Sequence, residues 1–398
     1  MEHKLNDLIE KIYTTISKTI KRTSAYLHEP EINQNDIKMV QKILKSGYVS
    51  SIGSSIAEFE NKLCEYTGTK YAVAMTNGTS SLHVALLASG IQVHDEVLVP
   101  AMTFVASANA ISYCNAVPHF IDSDLNSLGI DNEKLLIYLE RNTIIKNNEC
   151  FNKNTGRRIF GVIPVHIYGF VGDIETLKKI ADQFKITIIE DAAEALGSFK
   201  DHRHSGTFGI CGCISFNGNK IITTGGGGAL ITNNEKLAKR ARHLSTTAKK
   251  PHKFNYFHDE IGFNYRMPAI NAALGLSQIQ KIDKLLKAKK TLRENYRVNF
   301  KEIRGVSFFE GPSDCDANFW LNSIILNEEF VEYQDIIIEK LINMGFECRP
   351  IWKLMNKLSP YQNNPSMNLN NAQNLEKSFI SIPSSSFLCK NNGNFKFK

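Results

Sequence analysis

Short apolar runs along the chain alternate with longer segments in which apolar residues recur at helical spacing. Each short run predicts a buried strand, and each longer segment predicts an amphipathic helix. Such alternation predicts an α/β fold with a mostly parallel sheet and helices on both of its faces. The predicted strands are residues 71–75, 96–99, 118–121, 160–165 and 187–189, and the predicted helices are residues 55–66, 81–90, 104–113 and 174–184.

The two ends of the chain differ from this central part. A polar stretch at 145–158 predicts a surface excursion, and the tail at 391–398 is expected to be loosely ordered. Other predicted elements are an amphipathic helix at 1–27, a long charged helix at 269–299, strands at 306–309 and 320–326, and a helix at 333–344. We therefore predict an N-terminal helical segment at 1–50, a large domain at 51–250 and a small α+β domain at 251–398.

Composition narrows the class of protein. Hydrophobic residues make up 42% and charged residues 22%, which is ordinary for a globular chain. No apolar run reaches about 18 residues, so we expect no membrane segment, and the N-terminus lacks the apolar block of a secretory signal. The net charge of +7 is dispersed, which argues against nucleic-acid binding. Only Cys211 and Cys213 lie close together, so we expect no metal and reduced thiols in the cytoplasm.

Polar residues gather where the predicted strands end, and ligands of parallel sheets bind beyond those carboxyl ends. Asn77, Gly78, Thr79 and Ser80 lie between the first strand and the next helix. A glycine there lets the backbone approach a ligand, and the N–H groups of a helix start bind an anion. The same residues also suit an ordinary helix cap, so both interpretations stay open.

Three carboxylates follow the strand at 187–189. Glu190 and Asp191 are adjacent, so they point to opposite faces of the strand and cannot share one role, and Glu194 comes shortly after. A carboxylate here can hold the protonated ring nitrogen of a pyridine cofactor, and that charge makes the ring an electron sink. A metal ligand and a simple cap are the alternatives.

Lys220 stands among small and polar residues, ahead of four glycines at 225–228. A partly desolvated lysine beside an anionic cofactor can form a Schiff base, although a solvated loop lysine would give the same pattern. Because the lysine precedes the glycines, the spacing G-x-x-x-x-G-K of phosphate-binding loops is not met. The dinucleotide pattern G-x-G-x-x-G is also missing, so phosphate transfer and dinucleotide binding lose support.

A last polar turn places Asn264 and Arg266 before the long helix, as ligand contacts or as capping residues.

Taken in order, these segments resemble the DegT/DnrJ/EryC1/StrS family of sugar-nucleotide aminotransferases, which have the aspartate aminotransferase (type I) fold: a large domain with a mostly parallel seven-stranded sheet and a smaller α+β domain. The matching stretches are NGTSSLHVALLASG, DEVLVPAMTFVASANAI, IIEDAAEALGS, SFNGNKIITTGGGGALIT and IGFNYRMPAINAALG. Five such stretches in family order are far more specific than any one alone.

The resemblance implies that the enzyme uses pyridoxal 5'-phosphate. Lys220 matches the lysine that joins this cofactor covalently and later moves a proton. Asp191 matches the partner of the pyridine nitrogen, and Glu194 falls where relatives carry Gln, His or Glu near the ring hydroxyl.

Further positions are carried over in the same way. Gly78, Thr79 and Ser215 match residues that hold the cofactor phosphate, and Phe104 matches an aromatic segment that stacks on the ring. Asn264 matches an asparagine that reaches the phosphate in the neighbouring subunit. The resemblance therefore implies a homodimer with shared active sites.

Shorter stretches point to one branch of the family, which makes 4-amino-4,6-dideoxy-N-acetylglucosamine nucleotides and includes legionaminic-acid pathway enzymes. They are CFNKNTGRRI, NSLGID, HDEIGFNYRM, RPIW and SIPSS. The implied reaction moves an amino group from L-glutamate to C4 of a UDP-linked keto-sugar for a bacterial surface glycan. A GDP-linked keto-sugar is the alternative substrate. His166, Tyr168, Arg349 and Trp352 receive no firm role.

Two positions bear on whether the chain is active. Many relatives carry an acid where this chain has Gly226, which leaves open a cofactor-binding regulator without turnover. Some relatives replace the lysine with histidine and become dehydratases. The presence of Lys220 favours transamination.

Overall fold

The computed structural model describes residues 2–389, and the predicted loose tail at 391–398 lies outside that range. Within it the helices are α1 (Glu2–Ile20), α2 (Gln34–Ser46), α3 (Ser54–Thr67), α4 (Gly78–Ala88), α5 (Val105–Tyr113), α6 (Asn132–Asn142), α7 (Ile174–Phe184), α8 (Glu235–Ser245), α9 (Ala269–Ile279), α10 (Ile282–Phe300), α11 (Gln334–Asn343) and α12 (Asn370–Ser378).

The strands of the same region are β1 (Tyr71–Met75), β2 (Glu96–Pro100), β3 (Val117–Ile121), β4 (Thr143–Lys146), β5 (Glu149–Asn152), β6 (Arg158–Val162), β7 (Thr187–Asp191), β8 (Phe199–Lys200), β9 (Arg203–His204), β10 (Cys211–Ser215), β11 (Gly228–Thr232), β12 (Lys249–Lys250), β13 (Phe257–His258), β14 (Val306–Phe308), β15 (Cys315–Asp316), β16 (Asn322–Leu326), β17 (Arg349–Pro350) and β18 (Phe379–Ile382).

Seven strands form the central path of the main sheet, in the order β1-β11-β10-β7-β6-β2-β3. The pairs from β10 to β3 are parallel, and β11 is antiparallel to both of its neighbours. This arrangement confirms the predicted α/β class. The seven-strand path is mostly parallel, and β4 and β5 bring the whole sheet to nine strands, two more than predicted. Because β7 and β10 are parallel, with Cys213 opposite Asp191, their carboxyl ends meet at one edge of the sheet. That edge carries the candidate site.

Most residues of the predicted surface excursion at 145–158 are exposed, in agreement with the prediction, but the stretch forms a regular hairpin. Strands β4 and β5 of this hairpin extend the main sheet through β6. The buried carboxylate of Glu96 anchors the hairpin, because Asn152 and Thr155 donate to it at 2.8 and 2.6 Å. His119 lies 2.8 Å from the same carboxylate. Two polar residues of this stretch are therefore partners of a buried charge.

Two predicted helices are shorter than expected. Helix α1 ends at Ile20 instead of residue 27, because Lys21 adopts a left-handed conformation with φ of 54°. The long helix predicted at 269–299 is two helices that meet at Lys281, where φ is −109° and ψ is 7°. The amine of Lys281 lies 2.7 Å from Asp36 of α2, so the break joins the two helices to the N-terminal segment.

Two hydrophobic cores organise the described residues. The first surrounds the main sheet and includes α9, and the second joins α1, α10, α11, β14, β16 and β18. Helix α1 therefore packs among elements of the C-terminal half, while the predicted boundaries at residues 50 and 250 stay predictions. No helix within residues 2–389 has the length and apolar character needed to cross a membrane.

Candidate active site

Lys220 lies in the loop after β10, between a carboxylate and an indole. Its Nζ is 3.3 Å from Oε1 of Glu194 and 3.8 Å from the ring centroid of Trp320. The Trp320 indole N–H donates to the Asn219 carbonyl at 2.6 Å, which fixes the indole against the loop. Only 13% of the Lys220 side chain is exposed. The alternative of a solvated loop lysine is therefore wrong.

Asp191 ends β7 with its side chain buried at the same edge. The Ser107 hydroxyl donates to Oδ2 at 2.7 Å, and the Ala193 N–H donates to Oδ1 at 3.1 Å. Burial raises the pKa of Asp191, while Ser107, Ala193 and the charge of Lys220 oppose the rise. Asp191 and the loop that carries Lys220 lie at the same edge of the sheet, because Cys213 of β10 pairs with Asp191 of β7.

Glu190 points to the opposite face of β7, as strand alternation requires. Its carboxylate accepts hydrogen bonds from the N–H groups of Gly206, Phe208 and Gly209 at 2.6–2.7 Å. Nε2 of His166 lies 2.8 Å from the same carboxylate. Glu190 and His166 thus fix the loop after β9, and strand alternation places the Glu190 carboxylate on the face opposite to that of Asp191.

Glu194 is oriented by a strained residue. The Tyr168 N–H donates to Oε2 of Glu194 at 2.9 Å, and Tyr168 has a positive φ of 55°. The Tyr168 hydroxyl is itself held, because Ser381 donates to it at 2.9 Å. Burial and the nearby Asp191 raise the pKa of Glu194, whereas Lys220 lowers it. The backbone strain is retained where it aims a carboxylate at the lysine.

Gly78 and Ser215 pack closely at the start of α4. A Cβ built on Gly78 would lie 3.0 Å from the Cβ of Ser215, so residue 78 has little room for a side chain. Asn77 caps the helix by accepting from the Ser80 N–H at 2.7 Å. Thr79, in the first turn, is half-buried. Capping and anion binding are therefore compatible here, because the cap uses only one of the free N–H groups of the helix start.

Phe104 and Asn264 have exposed side chains in the single chain. Phe104 precedes α5, the helix that carries Ser107, and is 53% exposed. Asn264 pairs through its backbone with Thr246 on an exposed turn, and the next residue accepts from the Thr76 N–H at 2.9 Å. The stacking role of Phe104 and the cross-subunit role of Asn264 stay predictions.

Arg349 and Trp352, which received no firm role, occupy different places. Arg349 pairs with Glu347 at 2.8 Å and lines a cavity of about 620 Å³. The Trp352 ring lies 5.3 Å from the Tyr168 ring, measured between centroids. Of the two, the ring contact places Trp352 beside the residue that orients Glu194.

Sequence reasoning missed Ser107 and Trp320. Ser107 lies within the stretch DEVLVPAMTFVASANAI, but a serine in a helix gives no signal that it faces a carboxylate on another strand. Trp320 is about a hundred positions from Lys220 in the sequence, and only the folded chain brings them together. The available signal was that Trp320 is one of just two tryptophans in the chain.

The donor set fits pyridoxal phosphate. Asp191 offers a buried carboxylate to a ring nitrogen, Lys220 offers an amine, and the helix start at Gly78, beside Ser215, offers N–H groups to a phosphate. With the parallel sheet that presents them, these residues define the class of fold-type I enzymes that depend on pyridoxal phosphate.

Comparison with known proteins agrees. Residues 30–393 match the DegT/DnrJ/EryC1/StrS aminotransferase family. The chain is 34% identical over 333 residues to GDP-perosamine synthase of Caulobacter vibrioides, covering 83% of this chain and 85% of that protein. It is 30% identical over 360 residues to UDP-4-amino-4,6-dideoxy-N-acetyl-beta-L-altrosamine transaminase of Campylobacter jejuni. That alignment covers 90% of this chain and 91% of that protein.

A solved structure of a DegT DnrJ EryC1 StrS aminotransferase from Brucella abortus aligns with a TM-score of 0.81 at 26% identity. The alignment covers 89% of this chain and 91% of that one. The chain belongs to the DegT/DnrJ/EryC1/StrS aminotransferase family. It is an enzyme of the transaminase type.

Proposed function

We propose that the chain transfers an amino group from L-glutamate to C4 of a nucleotide-linked 4-keto-6-deoxy sugar. The observation that carries the proposal is Lys220, held beside Glu194 at 3.3 Å at the sheet edge where Asp191 ends β7. Relatives whose alignments cover more than 80% of this chain are named GDP-perosamine synthase and UDP-4-amino-4,6-dideoxy-N-acetyl-beta-L-altrosamine transaminase. The lysine and both carboxylates are in place, which favours turnover over a regulator that only binds the cofactor.

Each residue has a distinct role in this proposal. Bound pyridoxal phosphate supplies an electron-poor ring that stabilises negative charge at the carbon losing its proton. Asp191 keeps the ring nitrogen protonated through its buried negative charge. Lys220 takes the proton from the α-carbon of the amino donor in the first half-reaction and gives a proton to C4 of the sugar in the second. Proton transfer by a positioned group of this kind raises the rate by about 10²–10⁴-fold. Glu194 positions the lysine amine.

The proposed phosphate site must retain the cofactor whenever no covalent link joins it to the protein. Gly78 and Thr79 provide the helix start, and Thr79 and Ser215 provide hydroxyls for this purpose. The fixed N–H groups of a helix start hold an anion without a lysine or arginine. We therefore assign retention of the cofactor to these three residues.

The leading substrate is the UDP-linked 2-acetamido-2,6-dideoxy-hexos-4-ulose. It is supported by the sequence stretches of the branch that makes 4-amino-4,6-dideoxy-N-acetylglucosamine nucleotides. The Campylobacter jejuni relative, whose alignment covers 90% of this chain at 30% identity, supports it as well. A GDP-linked 4-keto-6-deoxy sugar is the second candidate, because the relatives named GDP-perosamine synthase reach 34% and 35% identity.

We further propose a homodimer in which Asn264 enters the neighbouring site. Large apolar side chains close to Asn264 in the sequence are exposed in the single chain, with Tyr256 at 81% and Ile261 at 86%. An exposed apolar segment of this kind marks a surface that another chain covers. A second copy would cover it and bring Asn264 to the partner's phosphate.

A substrate panel tests the proposed function. The purified enzyme would be loaded with pyridoxal phosphate and given glutamate with UDP-, GDP- and dTDP-linked 4-keto-6-deoxy sugars. Mass spectrometry would detect the amino-sugar product. We expect product from the UDP-linked acetamido sugar; product from the GDP-linked sugar alone would favour the second candidate. No product from any member of the panel would overturn the function.

A further inference from the structure

His28 is held in place on the extended segment between α1 and α2. The N–H of Leu27 donates to Oε2 of Glu347 at 3.1 Å, and the N–H of Glu29 donates to the Ser385 hydroxyl at 2.9 Å. The Ser384 N–H donates to the Leu27 carbonyl at 2.7 Å. Hydrogen bonds on both sides of His28 therefore fix the backbone from which its ring projects.

The ring of His28 lies next to the candidate active site. Its centroid is 6.4 Å from that of Trp320, whose indole covers the Lys220 amine. Trp320 is in turn anchored from behind, because the buried amine of Lys289 donates to the Trp320 carbonyl at 2.7 Å. His28 thus belongs to the wall that Trp320 and Lys220 form.

Both ring nitrogens of His28 are buried. Within residues 2–389 the Asn219 backbone makes only a weak hydrogen bond to the ring, and neither nitrogen has a partner at normal length and angle. Buried polar groups in folded proteins are almost always paired, so an unpaired one requires an explanation. A ligand that completes the pairing is one such explanation, and the position beside the lysine favours it.

The neutral form of the His28 imidazole is favoured. Burial lowers its pKa well below the usual value, and the charges of Lys289 and Lys220 lower it further, while the hydrogen bond with the Asn219 backbone raises it. A neutral imidazole offers one N–H donor and one acceptor. It suits an uncharged hydroxyl or amide oxygen better than a phosphate or a carboxylate.

We propose that His28 is a specificity-determining residue that hydrogen-bonds an uncharged oxygen of the sugar ring of the amino acceptor. The proposal rests on the proposed function, since it requires a sugar nucleotide in the site. It assigns His28 to recognition of the sugar, and neither to the nucleoside diphosphate nor to glutamate. Binding of the sugar nucleotide, binding of the nucleoside diphosphate and the rate of the glutamate half-reaction can therefore be measured separately.

The test compares the wild-type holoenzyme with His28→Phe, which keeps a ring but removes both hydrogen-bonding atoms. Calorimetry would measure Kd for UDP-N-acetylglucosamine and GDP-mannose, which carry a 4-hydroxyl and cannot react, and for UDP and GDP alone. Loss of one hydrogen bond to an uncharged group should weaken sugar-nucleotide binding about tenfold. Binding of the nucleoside diphosphate alone should stay within about twofold, and so should the rate of the glutamate half-reaction.

Two further variants make the result specific. His28→Asn retains a donor and an acceptor, and it should recover part of the lost affinity. Tyr26→Phe alters an exposed side chain on the same segment, 66% accessible, and should change none of these quantities.

Equal weakening of sugar nucleotide and nucleoside diphosphate by His28→Phe would show a merely structural role and overturn the proposal. Unchanged binding of both would overturn it as well, since the ring nitrogens would then have no role in binding. If the wild type binds neither sugar nucleotide nor converts any keto-sugar, the proposed function fails and the role of His28 fails with it.

Discussion

Lys220 reaches Glu194 at 3.3 Å through one carboxylate oxygen, while the Tyr168 amide occupies the other at 2.9 Å. The carboxylate is thus fixed by backbone on one side and faces the reactive amine on the other. Because Tyr168 holds a positive φ of 55°, the aim of Glu194 depends on a strained backbone position. The position of the lysine is set by the fold, before any ligand is present.

Lys220→Ala should abolish transamination. The substitution removes both the amine that joins the cofactor and the group that moves the proton, so turnover should fall by at least about 10³-fold. The near-ultraviolet absorbance of the bound cofactor should also change, because the covalent link is lost. Lys239→Ala, on an exposed lysine of α8, is the matched control and should leave both readouts intact. Substantial turnover in the Lys220 variant would contradict the assignment.

Asp191→Asn should separate catalysis from stability. Loss of the buried charge should slow the glutamate half-reaction, followed by stopped-flow absorbance, by about 10²–10³-fold. Because burial raises the pKa of Asp191, its charge opposes folding of the empty protein, and the Asn variant should unfold no earlier than wild type. Ser107→Ala removes one hydrogen bond to Asp191 and should slow the same step by about tenfold at most. A half-reaction in the Asn variant within twofold of wild type would argue against the proposed role.

Mixing two inactive variants tests the shared site. In a dimer of Lys220→Ala with Asn264→Asp, one site combines Lys220 of one chain with Asn264 of the other, and both are intact there. Random mixing after unfolding and refolding should restore about a quarter of the wild-type activity if sites are shared in a twofold dimer. Activity no higher than the sum of the separate variants would mean that Asn264 serves its own chain.

His204 should make the fold sensitive to acid. Nε2 of its buried ring accepts the Gly197 N–H at 3.0 Å, and Nδ1 donates to the Ser205 carbonyl, so a second proton has no acceptor. Burial accordingly lowers the pKa of His204 from 6.5 to about 4. A lowered pKa contributes stability that is complete above 6.5 and is lost as the pH falls toward about 4.

The expected loss is about 3 kcal/mol of unfolding free energy across that window, as the difference between the two pKa values implies. Urea unfolding at pH values of about 7, 5.5 and 4.5 measures it. In His204→Gln the unfolding free energy should depend less steeply on pH, since the amide can accept and donate hydrogen bonds without titrating. His202 is exposed, so His202→Gln should behave as wild type. Identical pH dependence in the His204 variant would show that other groups dominate.

Local patterns predicted most of the main sheet, because a buried strand needs a short apolar run whatever surrounds it. Strand β1 and helix α7 have the bounds that the sequence predicted. The hairpin β4–β5 was missed because its polar residues pair with the buried Glu96, and such pairing has no local signature. The single long helix at 269–299 was wrong for a similar reason, since the break at Lys281 follows from contacts with the distant Asp36.

The candidate site shows the same difference between local sequence signals and long-range contacts. Asp191 and Lys220 were predicted as site residues because their neighbours in the sequence carry the signal. Ser107, Trp320 and His28 were not, since each acquires its place only through packing against residues far away in the chain. Long-range partners of a reactive group are therefore the part of the site that local sequence does not encode.

The alternation of Glu190 and Asp191 along β7 has a consequence for how this protein can vary. Moving the strand by one residue would put Glu190 in the place of Asp191 and Ile189 in the place of Glu190, so that an apolar side chain would face the amides that Glu190 now binds. Both the chemistry and the loop would be lost together. Insertions or deletions just before β7 should therefore be far less tolerated than substitutions at the same positions.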